Sequence, residues 1–135
     1  MVQLYIRRRE VIYQPVDRTA TETVPVFRVR AGQRILGCQV TPLVNSSGTT
    51  NSTFEMGDGN DTDGFVTSAT IDLETATVGT WIDGIGAYLL QTTAGKSKYG
   101  FLYLVADTID VTYTANTYGT VTPKVRIAID YVPAL

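Results

Sequence analysis

The two stretches that decide the fold are Thr108–Thr114, with the sequence TIDVTYT, and Lys124–Val132, with the sequence KVRIAIDYV. In both, large apolar residues occupy every second position, with mostly polar or small residues between them. A period of two is typical of a β-strand with one buried face and one face in water. The segment 115–123 between them contains Asn, Gly and Pro and predicts a hairpin connection. We therefore expect an antiparallel pair of strands at the C-terminal end.

Upstream of this pair, further strand-like segments follow one another at intervals of about 8 to 15 residues, without an amphipathic helix of convincing length. This pattern predicts an all-β, jelly-roll-like antiparallel sandwich of about eight strands. The last of these segments, Tyr99–Val105, is apolar on both faces, which indicates a central strand or a subunit interface. The predicted upstream strands are Thr23–Ala31, Arg34–Val44, Thr49–Met56, Phe65–Leu73, Thr80–Leu90 and Tyr99–Val105.

Residues 1–23 differ in character from the rest. Three consecutive arginines, Arg7, Arg8 and Arg9, interrupt an alternating apolar pattern, and Pro15 then breaks regular structure. We predict an extended N-terminal arm over residues 1–23 and a single β-sandwich domain over residues 24–135. The arm contains one or two short strands, and it forms either an edge strand of the sandwich or a contact with another subunit.

Composition bounds the class of protein. The chain has 135 residues, of which 44% are hydrophobic and 18% charged, as expected for one globular domain with its own core. Its net charge of −2 argues against nucleic-acid binding driven by overall charge. No apolar run approaches the length of a membrane span, and no apolar stretch typical of a secretory signal follows the arginines. We expect neither nucleic acid nor membrane as a partner.

Charge is distributed unevenly along the chain. Residues 1–40 carry seven arginines against three acidic residues, whereas residues 41–135 carry four basic and ten acidic residues. One interpretation is a solvated arm on a soluble body. The other is an arginine-rich arm that docks on an acidic neighbour.

Residue types restrict the possible chemistry. Cys38 is the only cysteine, and its phase with Leu36 and Val40 predicts a buried small hydrophobe. The chain has no histidine, so sites built from several His or Cys ligands and His-activated nucleophiles are excluded. No spacing singles out one pair of carboxylates for acid–base catalysis. The sequence therefore predicts a protein that is not an enzyme and that needs no cofactor.

The segment Gly57–Gly64, with the sequence GDGNDTDG, is the most conspicuous local motif. Its oxygen-bearing side chains suit a hard cation such as calcium, but its spacing does not fit the EF-hand loop. The favoured interpretation is a turn in which Asx side chains bond their own backbone. The weak metal-ligand candidates are Asp58, Asn60, Asp61 and Asp63.

Eight tyrosines are the remaining clue. Tyrosine combines an apolar ring with a polar hydroxyl, so it suits half-buried packing as well as a subunit contact or a sugar-stacking face. Candidate contact residues for another subunit or a capsid are Arg7, Arg8, Arg9, Tyr13, Tyr99 and Tyr103.

Three pieces of the chain resemble small structural proteins of tailed bacteriophages. They are Val26–Leu36, the Gly-Asp-rich turn Gly57–Phe65, and Ala106–Thr112 with its closing strand Val125–Val132. In style and order they are similar to jelly-roll-like head-decoration (cement) proteins, over roughly residues 24–132.

The resemblance implies capsid stabilisation by a virion protein that bridges neighbouring capsid subunits. It also implies a major capsid protein as partner, a homotrimer, a place on the capsid exterior and synthesis in the host cytoplasm. Two alternatives stay open: another virion module, such as a tail or fibre part, and a calcium-dependent carbohydrate-binding β-sandwich.

Overall fold

A computed structural model of the protein describes residues 5–47, 52–89, 100–115 and 120–134, which contain β-strands and no helix. This confirms the predicted all-β class. The strands in the described ranges are β1 (Arg7–Tyr13), β2 (Glu22–Val29), β3 (Arg34–Val44), β4 (Thr53–Gly57), β5 (Ile82–Asp83), β6 (Phe101–Leu102), β7 (Asp107–Thr114) and β8 (Lys124–Val132).

The strands form two antiparallel sheets. One sheet has the order β1-β8-β3-β5, with β6 also pairing with β3, and the other has the order β2-β7-β4. The chain alternates between the sheets except at β5 and β6, which are both in the first sheet, and β1 pairs with β8 while β2 pairs with β7. This nested pairing of early with late strands is consistent with a jelly-roll-like sandwich.

The predicted hairpin between the two C-terminal strands is wrong. Strand β7 pairs with β2 and β4, whereas β8 pairs with β1 and β3 in the other sheet. A period of two reports only that a strand has one buried face, so two strands on opposite walls of a sandwich share it. The segment between them is long enough to cross from one sheet to the other, about 10 Å apart.

The alternation itself is confirmed, because it fills the space between the sheets. Ile109, Val111 and Tyr113 of β7 face Ile127 and Ile129 of β8 across the core, and all five are buried. Aromatic and aliphatic side chains from the other elements complete this core: Tyr13, Phe27, Val29, Ile35, Val40, Phe54, Met56, Phe65, Val66, Ile71, Leu73 and Tyr103.

Of the two alternatives for residues 1–23, the structure has an edge strand in residues 7–13. Strand β1 pairs with β8 from Arg7↔Tyr131 to Tyr13↔Val125. The second strand, β2, begins at Glu22, so the sequence boundary at residue 23 falls inside a strand. Both β1 and β2 are outer strands of their sheets. Hydrogen bonds from Arg9 to the Arg28 carbonyl and from Tyr13 to Glu22 place them on the same side of the sandwich, which we call the near flank.

Three predicted strands are much shorter than expected. Only Val66 of Phe65–Leu73 pairs, in an isolated bridge with Met56. Of Thr80–Leu90, whose last residue lies outside the described ranges, only Ile82 and Asp83 form a strand within residues 80–89. From Tyr99–Val105 only Phe101 and Leu102 pair, and Tyr99 lies outside the described residues. These segments contain glycines or turn over apolar residues that pack singly, so apolar content alone overstated their regularity.

Cys38 is buried on β3, with its Sγ 3.9 Å from the Sδ of Met56. Desolvation raises the pKa of its thiol to about 12. The prediction of a buried small hydrophobe is confirmed.

Candidate functional site

Strand alternation separates the three consecutive arginines. Tyr13 is buried, so the residues of β1 that share its parity, including Arg7 and Arg9, point towards the opposite sheet. Arg8 points the other way, onto the solvent face of the five-stranded sheet. The three arginines are therefore divided between the space facing the opposite sheet and the solvent face of their own sheet.

Arg8 is engaged within its own chain. Its guanidinium donates to the carboxylates of Asp130 at 3.2 Å and Glu10 at 3.1 Å and to the Gln39 amide oxygen at 3.1 Å. It also lies 4.9 Å above the Trp81 ring, a cation–π distance. Desolvation lowers the pKa of Arg8, but these hydrogen bonds and charges outweigh it and raise the pKa overall.

Arg9 bridges the two sheets at the near flank. Its Nη1 donates to the backbone carbonyl of Arg28 on β2 at 3.0 Å, and its guanidinium lies 5.5 Å from the Phe27 ring. The Arg9 guanidinium therefore covers the edge of the apolar core between the outer strands β1 and β2, which belong to different sheets.

The arginine cleft is the space between the sheets at this point. Its volume is about 860 Å³, and its charged lining is Arg7, Arg9, Arg28, Arg30 and Asp107. Both ion pairs found among the described residues belong to Arg8 and none to the cleft arginines. Four arginines and one aspartate therefore line the cleft, and this excess of positive charge suits carboxylates.

An apolar loop lies beside this cleft. After β6 the chain crosses the end of the sandwich, held by the Gly32 N–H donating to the Tyr103 carbonyl at 2.7 Å. In this crossing Leu104 is 79% exposed and Val105 69% exposed, directly before the cleft residues Ala106 and Asp107. These two adjacent exposed aliphatic side chains form a small apolar patch next to the cleft.

Asp58 anchors the opposite side of the same end. Its carboxylate is only 2% exposed and accepts from the hydroxyls of Tyr88 and Tyr103, each at 2.9 Å. It also accepts from the backbone N–H groups of Asn60 at 2.9 Å and Asp61 at 3.0 Å. The Asx-turn interpretation of Gly57–Gly64 is therefore confirmed, with the addition of two tyrosines that sequence reasoning did not connect to it.

The two tyrosines have shifted acidities. Burial and the Asp58 carboxylate together raise the pKa of Tyr88 and Tyr103 well above the ordinary value, with burial the larger cause in both. Position 64 requires glycine, because a Cβ there would overlap the Tyr88 ring. The loop is thus shaped around this ring.

Residues 58–63 form the acidic hairpin tip between β4 and the Val66 bridge. Asp61 and Asp63 are partly exposed there, and the hydrogen bond between their side chains, then burial, raises the pKa of Asp61. Among the described residues, no cluster of three or more His, Cys, Asp or Glu is arranged to hold a metal ion. The weak metal candidates are thus a buried hydrogen-bond acceptor, Asp58, and partly or fully exposed tip residues.

The tyrosine contact candidates occupy different places. Tyr13 is buried and its hydroxyl donates to Glu22, while burial raises its pKa. Tyr103 is buried against Asp58, and Tyr99 lies outside the described residues. The rings of Tyr13 and Tyr103 are both enclosed by their own chain, which leaves little of either for contact with another subunit. Arg28 and Arg30, which sequence reasoning counted but did not place, join Arg7 and Arg9 in the cleft.

Comparison with known proteins gives structural matches only. No family model matches the chain, and no curated protein matches its sequence. A chain in the capsid asymmetric unit of cyanophage Pam1 matches with a TM-score of 0.63 and 16% identity, over 96% of this chain and 84% of that one. A chain in the acid-stable capsid structure of Helicobacter pylori bacteriophage KHP30 matches with a TM-score of 0.61 and 9% identity, over 97% and 90%.

At these identities the matches show a shared fold. The overlap is high in both directions, so each matched chain is only slightly longer than this one. A search of the described residues finds no helix long and apolar enough to cross a membrane.

Proposed function

We propose that this protein is a structural protein of a phage virion, and more specifically a decoration (cement) protein that stabilises the head by bridging capsid subunits. The observation that carries the proposal is the fold shared, over nearly the whole chain, with similarly small chains in two phage capsid structures. The resemblance of the sequence to head-decoration proteins points the same way. Binding without chemistry is the activity that such a role requires.

The surface supports a docking role. At one end of the sandwich Leu104 and Val105 are exposed next to each other, which gives this end an apolar patch beside the arginine cleft. We propose that this end faces the major capsid protein on the capsid exterior, with the apolar loop in the contact. Closed three-fold association of the protein would in turn cover the outer strands β1 and β2.

Co-sedimentation with capsid shells assembled without this protein tests the proposal. The variant V105D places a charge in the apolar loop, and we expect it to lower capsid affinity at least tenfold, because an unpaired carboxylate would be buried in the contact. The matched control is V16D, since Val16 is 95% exposed in the loop at the opposite end. Equal binding by both variants and the unsubstituted protein would remove the apolar loop from the contact.

Deletion of residues 2–13 is a poorer test of the arginines than substitution. The deletion removes all of β1 and its buried Tyr13, so it would disturb the fold as well as the arginines. Charge reversal at exposed arginines leaves the sheet intact.

Labelling of intact virions with an antibody to this protein would separate the head location from the tail or fibre alternative.

The carbohydrate-binding alternative makes a separate prediction. It requires glycan binding that disappears with a calcium chelator, whereas a decoration protein keeps capsid binding in its presence. Arg8 covers one face of Trp81, the only tryptophan, which leaves that face unavailable for stacking on a sugar.

A further inference from the structure

The two flanks of the sandwich carry opposite charge. The near flank, formed by β1 and β2, carries the arginine cleft. The far flank, formed by β4 and β5, belongs to the segment 53–89, which contains seven acidic residues and no lysine or arginine. The acidic hairpin tip is part of this far flank.

The cleft and the tip lie at the same end of the sandwich. Strand β2 ends where β7 begins, with Val29 opposite Asp107, and β4 ends close by, with Gly57 opposite Asp110. The cleft is therefore at the end of the near flank, and the tip is level with it on the far flank. Both are charged surfaces without an ion-pair partner among the described residues.

We infer that copies of this chain associate flank to flank, with the acidic hairpin tip of one copy seated in the arginine cleft of the next. The occupant of the cleft is thus a second copy, chosen by charge complementarity. The inference rests on the proposed self-association and names the surfaces that form it.

Symmetry favours this arrangement. Two different patches on one molecule make a head-to-tail contact, and such contacts close into a ring when the rotation allows it. Because the cleft and the tip lie level, rotation about an axis parallel to the sandwich brings them together at the same height in every contact. The ring would also cover the unpaired edges of β1 and β2. The apolar loop at the end of each sandwich stays free for another partner.

Contact between the tip and the arginine cleft of a neighbouring copy would explain why three aspartates lie together in the tip. Asp58, Asp61 and Asp63 lie together without a neighbouring cation, and their mutual interaction contributes to the raised pKa of Asp61. Guanidiniums from a neighbouring copy would relieve this repulsion. Arg7 and Arg30 suit the role because their side chains are exposed and have no ion-pair partner among the described residues.

The test is the native mass of the purified full-length protein by light scattering. We expect the unsubstituted protein to form a closed oligomer, and both R7E/R30E and D61K/D63K to shift it to single chains. The combined variant R7E/R30E/D61K/D63K reverses both surfaces, so the oligomer should return. Salt should weaken it as well, since the screening length falls from about 8 Å at physiological ionic strength to about 3 Å at 1 M.

The matched control is R18E/R126E, which changes the net charge as much as R7E/R30E but at sites outside the cleft and the tip. It should keep the oligomer. Near-ultraviolet circular dichroism checks that each variant is folded. If one of the charge-reversed pairs fails to fold, the other pair decides the question by itself.

Three outcomes overturn the inference. They are a single-chain mass for the unsubstituted protein, an oligomer that survives either charge reversal, and a combined variant that does not recover the oligomer while remaining folded. If the unsubstituted protein is a single chain and R7E/R30E loses capsid binding, the cleft holds an acidic segment of the capsid instead. If a single chain binds the capsid, the proposed function stands and the inferred contact between copies is wrong.

Discussion

The Asp58 site and the arginine cleft lie at the same end of the sandwich, yet they handle polar groups in opposite ways. Asp58 is buried and its two oxygens accept four hydrogen bonds from its own chain. Among the described residues, Arg9 is the one cleft arginine whose side chain makes a hydrogen bond to the chain, and the side chains of Arg7, Arg28 and Arg30 are exposed. A satisfied buried group stabilises a fold, whereas exposed groups without partners are available to another molecule. This difference indicates a structural role for the first region and supports the proposed binding role of the second.

The largest expected effect is at Asp58. The variant D58A leaves the hydroxyl of buried Tyr103 without its acceptor and removes the Asx turn, so we expect it to lower the free energy of unfolding by about 3 kcal/mol. Chemical denaturation monitored by fluorescence measures this loss. D58N is the matched control, because it keeps the shape and one acceptor oxygen and should lose less. A loss below about 1 kcal/mol for D58A would mean that the carboxylate does not organise the loop.

A second effect is confined to alkaline pH. The pKa of buried Tyr103 is raised in the folded protein, whereas in the unfolded chain tyrosine ionises near its ordinary value of about 10. Above that pH the unfolded state has lost a proton that the folded state keeps, so stability falls as pH rises, by up to about 1.4 kcal/mol per pH unit for each such group.

The variant Y103F isolates this contribution. Its unfolding free energy, measured from pH 9 to 11, should fall less steeply than that of the unsubstituted protein, while Tyr13, Tyr88 and Cys38 keep part of the dependence. Identical slopes for the two proteins would show that Tyr103 ionises in the folded state as it does in the unfolded chain.

Much of the fold could be predicted from the sequence, because long strands record their environment in their pattern. Strands β3 and β8 have the bounds that alternation predicts, and β7 differs by one residue. Alternation does not record which strand is the neighbour, so β7 and β8 were wrongly paired as a hairpin. Short strands such as β5 and β6 have too few residues to show a period at all.

The candidate site was predictable only in part. The arginine run was visible, but its division between two surfaces depends on the parity of β1, which Tyr13 sets by being buried. Arg28, in β2, and Arg30, just after it, join the cleft because β2 lies beside β1 in the other sheet, a long-range relation with no local signal. The link from Asp58 to Tyr88 and Tyr103 likewise spans 30 and 45 residues.

The smallest effects are expected inside the cleft, where two arginines of one strand differ. Arg9 bridges the sheets through the Arg28 carbonyl and lies over Phe27, so R9A should lower the free energy of unfolding by about 1 kcal/mol. Arg7 makes no such contact with the part of the chain that the structure describes, and R7A should change the free energy of unfolding by less than about 0.5 kcal/mol. Parallel denaturation curves of the two variants measure the difference.

These two variants sharpen the comparison because they share residue type, strand and cleft. If Arg9 serves the fold and Arg7 serves binding, R7A should weaken self-association and leave the free energy of unfolding nearly unchanged. R9A should lower both the affinity of self-association and the free energy of unfolding. Equal losses of stability at both positions would show that the cleft arginines act as one structural unit. The cleft would then belong with the Asp58 site, as a region whose groups serve the fold of their own chain.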